Sequence, residues 1–270
     1  MYFDAHNHLQ DPRLCGDHSA ILAELSRLGL QRAVVNGTRE SDWENVAQLA
    51  RARPWIQPSF GLHPWFVPER SAQWQTVLRG FLHEFPQAGV GEIGLDRWIE
   101  PRDEAAQRDV FLFQLGLAAE LQRPASLHCI RAWGALWEIL KNHPLPECGF
   151  LLHAYAGPGE MIPGFVRRGA FFSFSPSFLH PRKTARREVF RHIPRDRLLV
   201  ETDAPDLGPP PELDSYRLQT TDNKPLNHPG NIALAYRGLA ETLGWTLQET
   251  VDQVGANFER LFGGSTVGWR

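Results

Sequence analysis

AGVGEIG, residues 88–94, is a short apolar run with glycine at three of its seven positions. It is too short for a helix that buries a face, and its composition suits a strand covered on both sides. Downstream, Glu104–Leu121 carries apolar residues at i, i+3 and i+4 spacing, the pattern of an amphipathic helix. PASLHC (124–129) then reads as the next strand. Strand, helix and strand in this order make one parallel β/α unit. Working outward, the alternation continues. Strands are predicted at YFDAHN (2–7), RAVVN (32–36) and IQPSFG (56–61) before it, and at GFLLH (149–153), AFFSF (170–174) and RLLVET (197–202) after it. Helical periodicity falls at Asp17–Leu28, Glu40–Arg51 and Arg182–His192, and near Ile232–Leu243 and Leu247–Leu261 at the end. Eight strands, each followed by a helix, in 270 residues match a (β/α)8 TIM barrel of ~250 residues with additional C-terminal helices. A doubly wound open sheet is the alternative reading of the same pattern. With no linker, repeat or low-complexity tract, one domain is expected over 1–264, with a short tail at 265–270. The one long irregular stretch, Gly208–Pro225, follows the eighth strand.

Composition sets limits on function. Hydrophobic residues make up 42% and charged residues 22%, as in an ordinary globular protein. A net charge of −3 offers no overall basic field for nucleic acid, although a local basic groove remains compatible with it. The three cysteines are far apart and form no C-x-x-C pair, which fits the cytoplasm. No secretory signal and no apolar run of ~20 residues is present, so no membrane association is expected. Nothing points to an obligate protein partner.

In such a barrel, chemistry gathers where the strands end. His6 and His8 close the first strand and share a face, with Asp4 on the same face beneath them. Glu92 lies near the end of the fourth strand between glycines that admit close approach. His128 ends the fifth strand, His153 the sixth, and Asp203 follows the eighth. Each has a structural reading when taken singly: a hydrogen-bonded barrel histidine, a carboxylate on backbone amides, a cap before Pro205. Jointly, so many buried charges and imidazoles at one rim need partners, and a metal is the economical one. Imidazole favours zinc, manganese, iron or nickel, while carboxylate also suits magnesium. Six ligands exceed one tetrahedral ion and suffice for two divalent cations with Glu92 between them.

The motifs D-x-H-x-H (4–8), GLHP (61–64), GEIGLD (91–96), LHC (127–129), LLHAYAG (151–157), ETDAP (201–205) and NFERLF (257–262) resemble the TatD family of metal-dependent hydrolases, within the amidohydrolase-like barrels. They cover nearly the whole chain in the expected order. The resemblance implies a (β/α)8 barrel with two divalent cations that hydrolyses phosphodiester bonds in DNA, in the manner of a 3'–5' exonuclease. It implies a first metal on His6, His8, Asp203 and the shared Glu92, and a second on Glu92, His128 and His153. A hydroxide between the ions would attack phosphorus with Asp203 as proton acceptor, making Asp203 and Glu92 the catalytic pair. His63 would reach the substrate phosphate or orient a ligand, or serve as a turn residue before Pro64. Asp96 would orient a ligand or cap the following helix. Asn257 would pack the last helix against the barrel.

The departures from the family pattern fall around the substrate. Arg97-Trp98 stands where aromatics usually follow GEIGLD, Ile130 replaces the arginine two residues after His128 with Arg131 one later, and Asn227-His228-Pro229 replaces N-E-P. A carboxylic ester, amide or lactone is therefore an alternative substrate for the same metals. The missing lysine near Glu92 favours the phosphodiester reading over the amide-cleaving relatives. A metal-bearing protein that binds nucleotides or a partner without turnover is the reading from another class. Trp65, Trp98 and Trp133 fall just after strands three to five, to stack on a ring or to pack beneath loops. The basic run 180–197, seven Lys or Arg against two acids, reads as a solvated helix face before a phosphate-binding edge. Cys129 alternates with a ligand on its strand and is expected to be inert packing.

Overall fold

The computed structural model describes residues 1–263, so the expected tail at 265–270 lies outside the described residues. Eight strands form one parallel sheet in sequence order: β1 (Tyr2–Asn7), β2 (Leu30–Asn36), β3 (Ile56–Phe60), β4 (Gly89–Asp96), β5 (Ala125–Ile130), β6 (Phe150–Leu152), β7 (Ala170–Phe174) and β8 (Leu198–Val200). Between and after them come α1 (His18–Arg27), α2 (Glu40–Ala52), α3 (Trp74–Glu84), α4 (Glu104–Leu121), α5 (Trp133–Asn142), α6 (Ile162–Arg167), α7 (Thr184–Glu188), α8 (Ile232–Leu243) and α9 (Leu247–Phe262). The first and last strands meet at their carboxyl ends: the Asp203 amide donates to the His6 carbonyl at 2.9 Å, and the His8 amide to the Ala204 carbonyl at 2.8 Å. This is the expected (β/α)8 topology, with α9 additional to the eight β/α pairs.

The chain packs as two compact units. One comprises Met1–Val35, His153–Ile162 and Phe172–Glu259, and the other Asn36–Leu152, Pro163–Phe171 and residues 260–263. In the first, Phe174, Phe178 and Phe190 form a mutual ring cluster with centroids 5.1–5.5 Å apart. The Asn257 side-chain amide donates at 2.8 Å to the carbonyls of both Arg195 and Leu198, which ties α9 to the start of β8. In the second, Trp43, Phe60, Phe81 and Phe85 pack together, and α3 buries Trp74, Leu78 and Leu82 at four-residue spacing. Here α4 begins where the Asp103 carboxylate accepts the Ala106 amide at 2.9 Å, and ends at Gln122 in the left-handed region.

Every residue of β4 is buried, as the opening stretch predicts for a strand covered on both faces. Its glycines are required by crowding. A Cβ on Gly94, which adopts φ +152°, would run into the His128 carbonyl, and one on Gly91 would lie 2.7 Å from the Ser126 Cβ. Two elements differ from expectation. Residues 182–192 are not one helix: α7 covers only Thr184–Glu188, between 3-10 turns at Pro181–Lys183 and Val189–His192. The tighter second turn carries Phe190 into the Phe174–Phe178 cluster. The eighth strand stops at Val200, and Glu201–Asp203 leave it as an irregular segment ending at Asp203 with φ +56°.

Candidate functional site

In the first unit, His6 and His8 stand at the end of β1, both buried. Asp203, turned out of the strand path by its left-handed backbone, brings Oδ1 to 3.5 Å from His6 Nε2 and 3.4 Å from His8 Nε2. The His6 ring stacks on His153 at 4.1 Å, with the planes 10° apart. His153 Nδ1 in turn lies 3.6 Å from Glu201 Oε1. Beneath this group, Asp4 accepts the amides of His6 (3.2 Å) and Thr202 (3.1 Å) and the Thr202 hydroxyl (2.6 Å), tying β1 to the residues after β8. Burial pushes the Asp4 carboxyl up to about 7 against the pull of those hydrogen bonds, and the nearby Glu201 charge adds to the rise.

The second unit holds the other group. His63 opens the turn after β3, where Gln114 of α4 brackets Leu62 by accepting its amide at 2.7 Å and donating to its carbonyl at 3.1 Å. His63 Nδ1 accepts the Trp65 amide at 3.1 Å, which leaves the proton of the neutral ring on Nε2, 3.4 Å from Glu92 Oε1. His128 Nδ1 lies 2.9 Å from the same Glu92 oxygen, and its Nε2 lies 2.8 Å from Asp96 Oδ2. Asp96 also accepts from Trp65 Nε1 at 2.8 Å and from the Trp98 and Ile99 amides at 2.5 and 3.2 Å. Burial pushes its carboxyl upward, but the His128 bond and charge, with those of Trp65 and Trp98, outweigh burial and hold it at about 2. Asp96 is thus a histidine-orienting carboxylate, and the helix cap belongs to Asp103.

These distances bear on metal binding. Two ligands each 2.0–2.2 Å from one tetrahedral ion are roughly 3.4 Å apart, beyond the usual N–H···O range. The 3.4–3.6 Å gaps among His6, His8 and Asp203, and between His153 and Glu201, have this length. Glu201 Oε1 is buried with no hydrogen-bond partner among the described residues, an expensive state for a carboxylate without a cation. Among the described residues, three groups each have their ligand atoms within 4.8 Å: His6, His8 and Asp203; His6, His153 and Glu201; and His63, Glu92 and His128. Asp96 on His128 is the carboxylate–histidine arrangement that fixes which ring nitrogen faces a metal. The residues fit divalent cations.

All six sequence-predicted ligands fall in these sets, as does His63. Glu201 was not among them, although it sits in the same VETDAP segment and the strand-end rule would have named it. His153 lies with His6 and Glu201. Trp133 packs edge-on to Phe165 at 6.4 Å. Cys129 is buried with its thiol pushed by burial up to about 12, which keeps it protonated and unreactive. Of the basic residues of 180–197, Arg182, Arg186, Arg191 and Arg195 are exposed, while Lys183, Arg187 and Arg197 are half-buried. No helix among the described residues is long and apolar enough to cross a membrane.

The family model "TatD related DNase" matches residues 3–263. Among curated proteins, the uncharacterised metal-dependent hydrolase YjjV of Escherichia coli is 30% identical over 76% of this chain and 80% of its own length. The 3'-5' ssDNA/RNA exonuclease TatD of Erwinia tasmaniensis is 30% identical over 77% and 81%. The crystal structure of the E. coli YjjV protein superposes with a TM-score of 0.87 at 27% identity, covering 97% of this chain and 98% of that one. The chain belongs to the TatD-related DNase family of metal-dependent hydrolases.

Proposed function

We propose that this protein is a two-cation phosphodiesterase that removes nucleotides from a DNA end in the 3'–5' direction. The observation that carries this reading is the buried histidine–carboxylate groups, with gaps of 3.4–3.6 Å among His6, His8 and Asp203 and between His153 and Glu201, in a chain of this family. Bound divalent cations would supply a nucleophile at neutral pH and neutralise charge on the phosphate oxygens. The chain's own residues hold and orient. His6, His8 and Asp203 would hold one cation and Glu92 and His128 the other; the resemblance implies Glu92 as a ligand shared by both and His153 as a further ligand. Asp96 accepts the hydrogen bond from His128 Nε2, which keeps the ring proton on Nε2 and leaves the Nδ1 lone pair to face a cation. His63 donates its Nε2 proton to a phosphate oxygen, because its Nδ1 is already used by the Trp65 amide. Asp203 accepts the proton of the attacking water. The three cysteines are free, which supports a reducing compartment such as the cytoplasm.

The test is an end-labelled single-stranded oligonucleotide with metal-loaded protein, run beside Glu92→Ala. A metal-dependent ladder growing from the 3' end is expected, with at least a hundredfold loss in the variant and a drop in its bound metal. An uncut oligonucleotide with both cations bound would exclude DNA and turn attention to carboxylic esters, amides and lactones. Full activity in Glu92→Ala would overturn the assigned site.

A further inference from the structure

The departures from the family pattern after β4 and β5 meet in one place. Asp96 and Ile130 are register partners, and just beyond them the Arg97 amide donates to the Ile130 carbonyl at 2.9 Å. Trp98 and Arg131 therefore leave the two strands side by side. The Arg131 guanidinium lies over the Trp98 ring, 4.1 Å from its centroid. Trp98 is nonetheless 60% exposed, an unusual state for an indole. Arg131 is exposed, has a left-handed backbone at φ +56°, and makes no hydrogen bond or ion pair with the described residues. A cationic side chain lying on one face of an exposed indole, carried by a left-handed backbone and with its N–H groups unused among the described residues, is arranged for something outside the chain.

Its position relative to the site is fixed. The Trp98 amide donates to Asp96 Oδ1, and Asp96 Oδ2 bonds His128 Nε2. The half-exposed Trp65 indole bonds that same Asp96 oxygen and meets the His63 ring edge-on at 5.3 Å. One carboxylate thus sets both the histidine of the candidate centre and the backbone that carries Trp98. The chemistry offered is a flat π surface beside a fork of donors, which suits a planar base joined to a phosphate.

We infer that Trp98 and Arg131 form a nucleotide subsite: an unpaired base stacks on the Trp98 indole, and Arg131 takes the backbone phosphate beside it. Resting on the phosphodiesterase reading, this names the residues that position the strand. A base stacked within a duplex cannot lie on Trp98, so the subsite binds unpaired ends. Neither residue touches the reacting atoms; both are positioning residues.

The test measures binding apart from cleavage. Metal-loaded protein is titrated with a fluorescein-labelled thymidine oligonucleotide whose phosphorothioate linkages resist hydrolysis. A second probe has abasic sugars at its three terminal positions. Stacking of one base predicts ~10–100-fold weaker binding by Trp98→Ala, with Trp98→Phe recovering most of it. The abasic probe should bind wild type weakly by a similar factor, and Trp98→Ala should not distinguish the two probes. Arg131→Ala should lower the slope of log affinity against log salt by about 0.7, the share of one single-strand phosphate contact. In cleavage, Trp98→Ala should raise KM far more than it lowers kcat. Equal binding of both probes by wild type, or wild-type affinity in Trp98→Ala, would overturn the subsite while leaving DNA cleavage intact. Base-dependent binding through Trp98 in a protein that cuts no DNA would uphold the subsite and remove the phosphodiesterase reading.

Discussion

Asp96 shows how one side chain sets the chemistry of its neighbours. It receives the Trp65 indole and the Trp98 and Ile99 amides, and it holds the His128 ring. Replacing it by Asn keeps the size but removes the charge that fixes the histidine tautomer. Asp96→Asn should weaken metal binding ~10–100-fold, the range found for carboxylates behind metal-bound histidines. Metal titration of the refolded variant, with circular dichroism to confirm the fold, checks this. A pH consequence follows with a definite sign. Its carboxyl is held at about 2, below the ordinary 3.8, so the folded protein binds fewer protons there than the unfolded chain. The stability contributed is complete above pH 3.8 and is lost as pH falls through about 2. Stability measured across that window should therefore rise more steeply with pH in wild type than in Asp96→Asn.

Between residue and fold, helices act as clamps on the strand ends. Gln114 reaches from α4 to both backbone groups of Leu62 and so places the next residue, His63. Asn257 does the same from α9, satisfying the carbonyls of Arg195 and Leu198 at the start of β8, whose far end leads to Glu201 and Asp203. Truncation to Ala would leave these two carbonyls without their partner. Asn257→Ala should therefore lose ~1–3 kcal/mol of stability. At ~2–4 °C per kcal/mol for chains of 150–250 residues, melting should fall by roughly 3–10 °C. Metal content and activity per folded molecule should be unchanged, because Asn257 touches no ligand. A large loss of metal without a melting change would contradict the role as a clamp.

For the molecule as a whole, the cost of burying Asp4, Glu92, Glu201 and Asp203 couples metal to folding. Carboxylates and imidazoles this enclosed are stable only when charge is balanced. Cations that bind the folded chain alone add ~2.7 kcal/mol at a hundredfold excess over the dissociation constant. Chelation by EDTA should lower the melting temperature by roughly 5–10 °C. Re-addition of zinc, manganese, iron, nickel or magnesium, one at a time, should restore it and rank the metals. Identical melting with and without chelator would mean that the buried groups balance one another and hold no cation.

Periodicity along the chain was enough to specify eight alternating β/α units, because burial on both faces writes itself locally as short apolar runs such as 88–94 between amphipathic segments. The choice of barrel over open sheet came from the strand order of the folded chain. The rule that chemistry sits at strand ends then picked out His6, His8, Glu92, His128, His153 and Asp203, since each lies at such an end in the linear sequence. Glu201, two residues before Asp203 in the same VETDAP segment, also lies at such an end and was not among them. Where the sequence offered two roles, only the folded chain chose between them. Asp96 binds a histidine because the β4–β5 register sets it beside His128, and Asp103 is left to cap α4. Residues 182–192 broke into short turns because Phe190 packs on Phe174 and Phe178, an attraction that no local pattern contains. The pairing of Trp98 with Arg131 joins residues 33 positions apart through the register of two strands. Local pattern encodes burial and period; which side chains meet depends on register and on backbone conformation, and these exist only in the folded molecule.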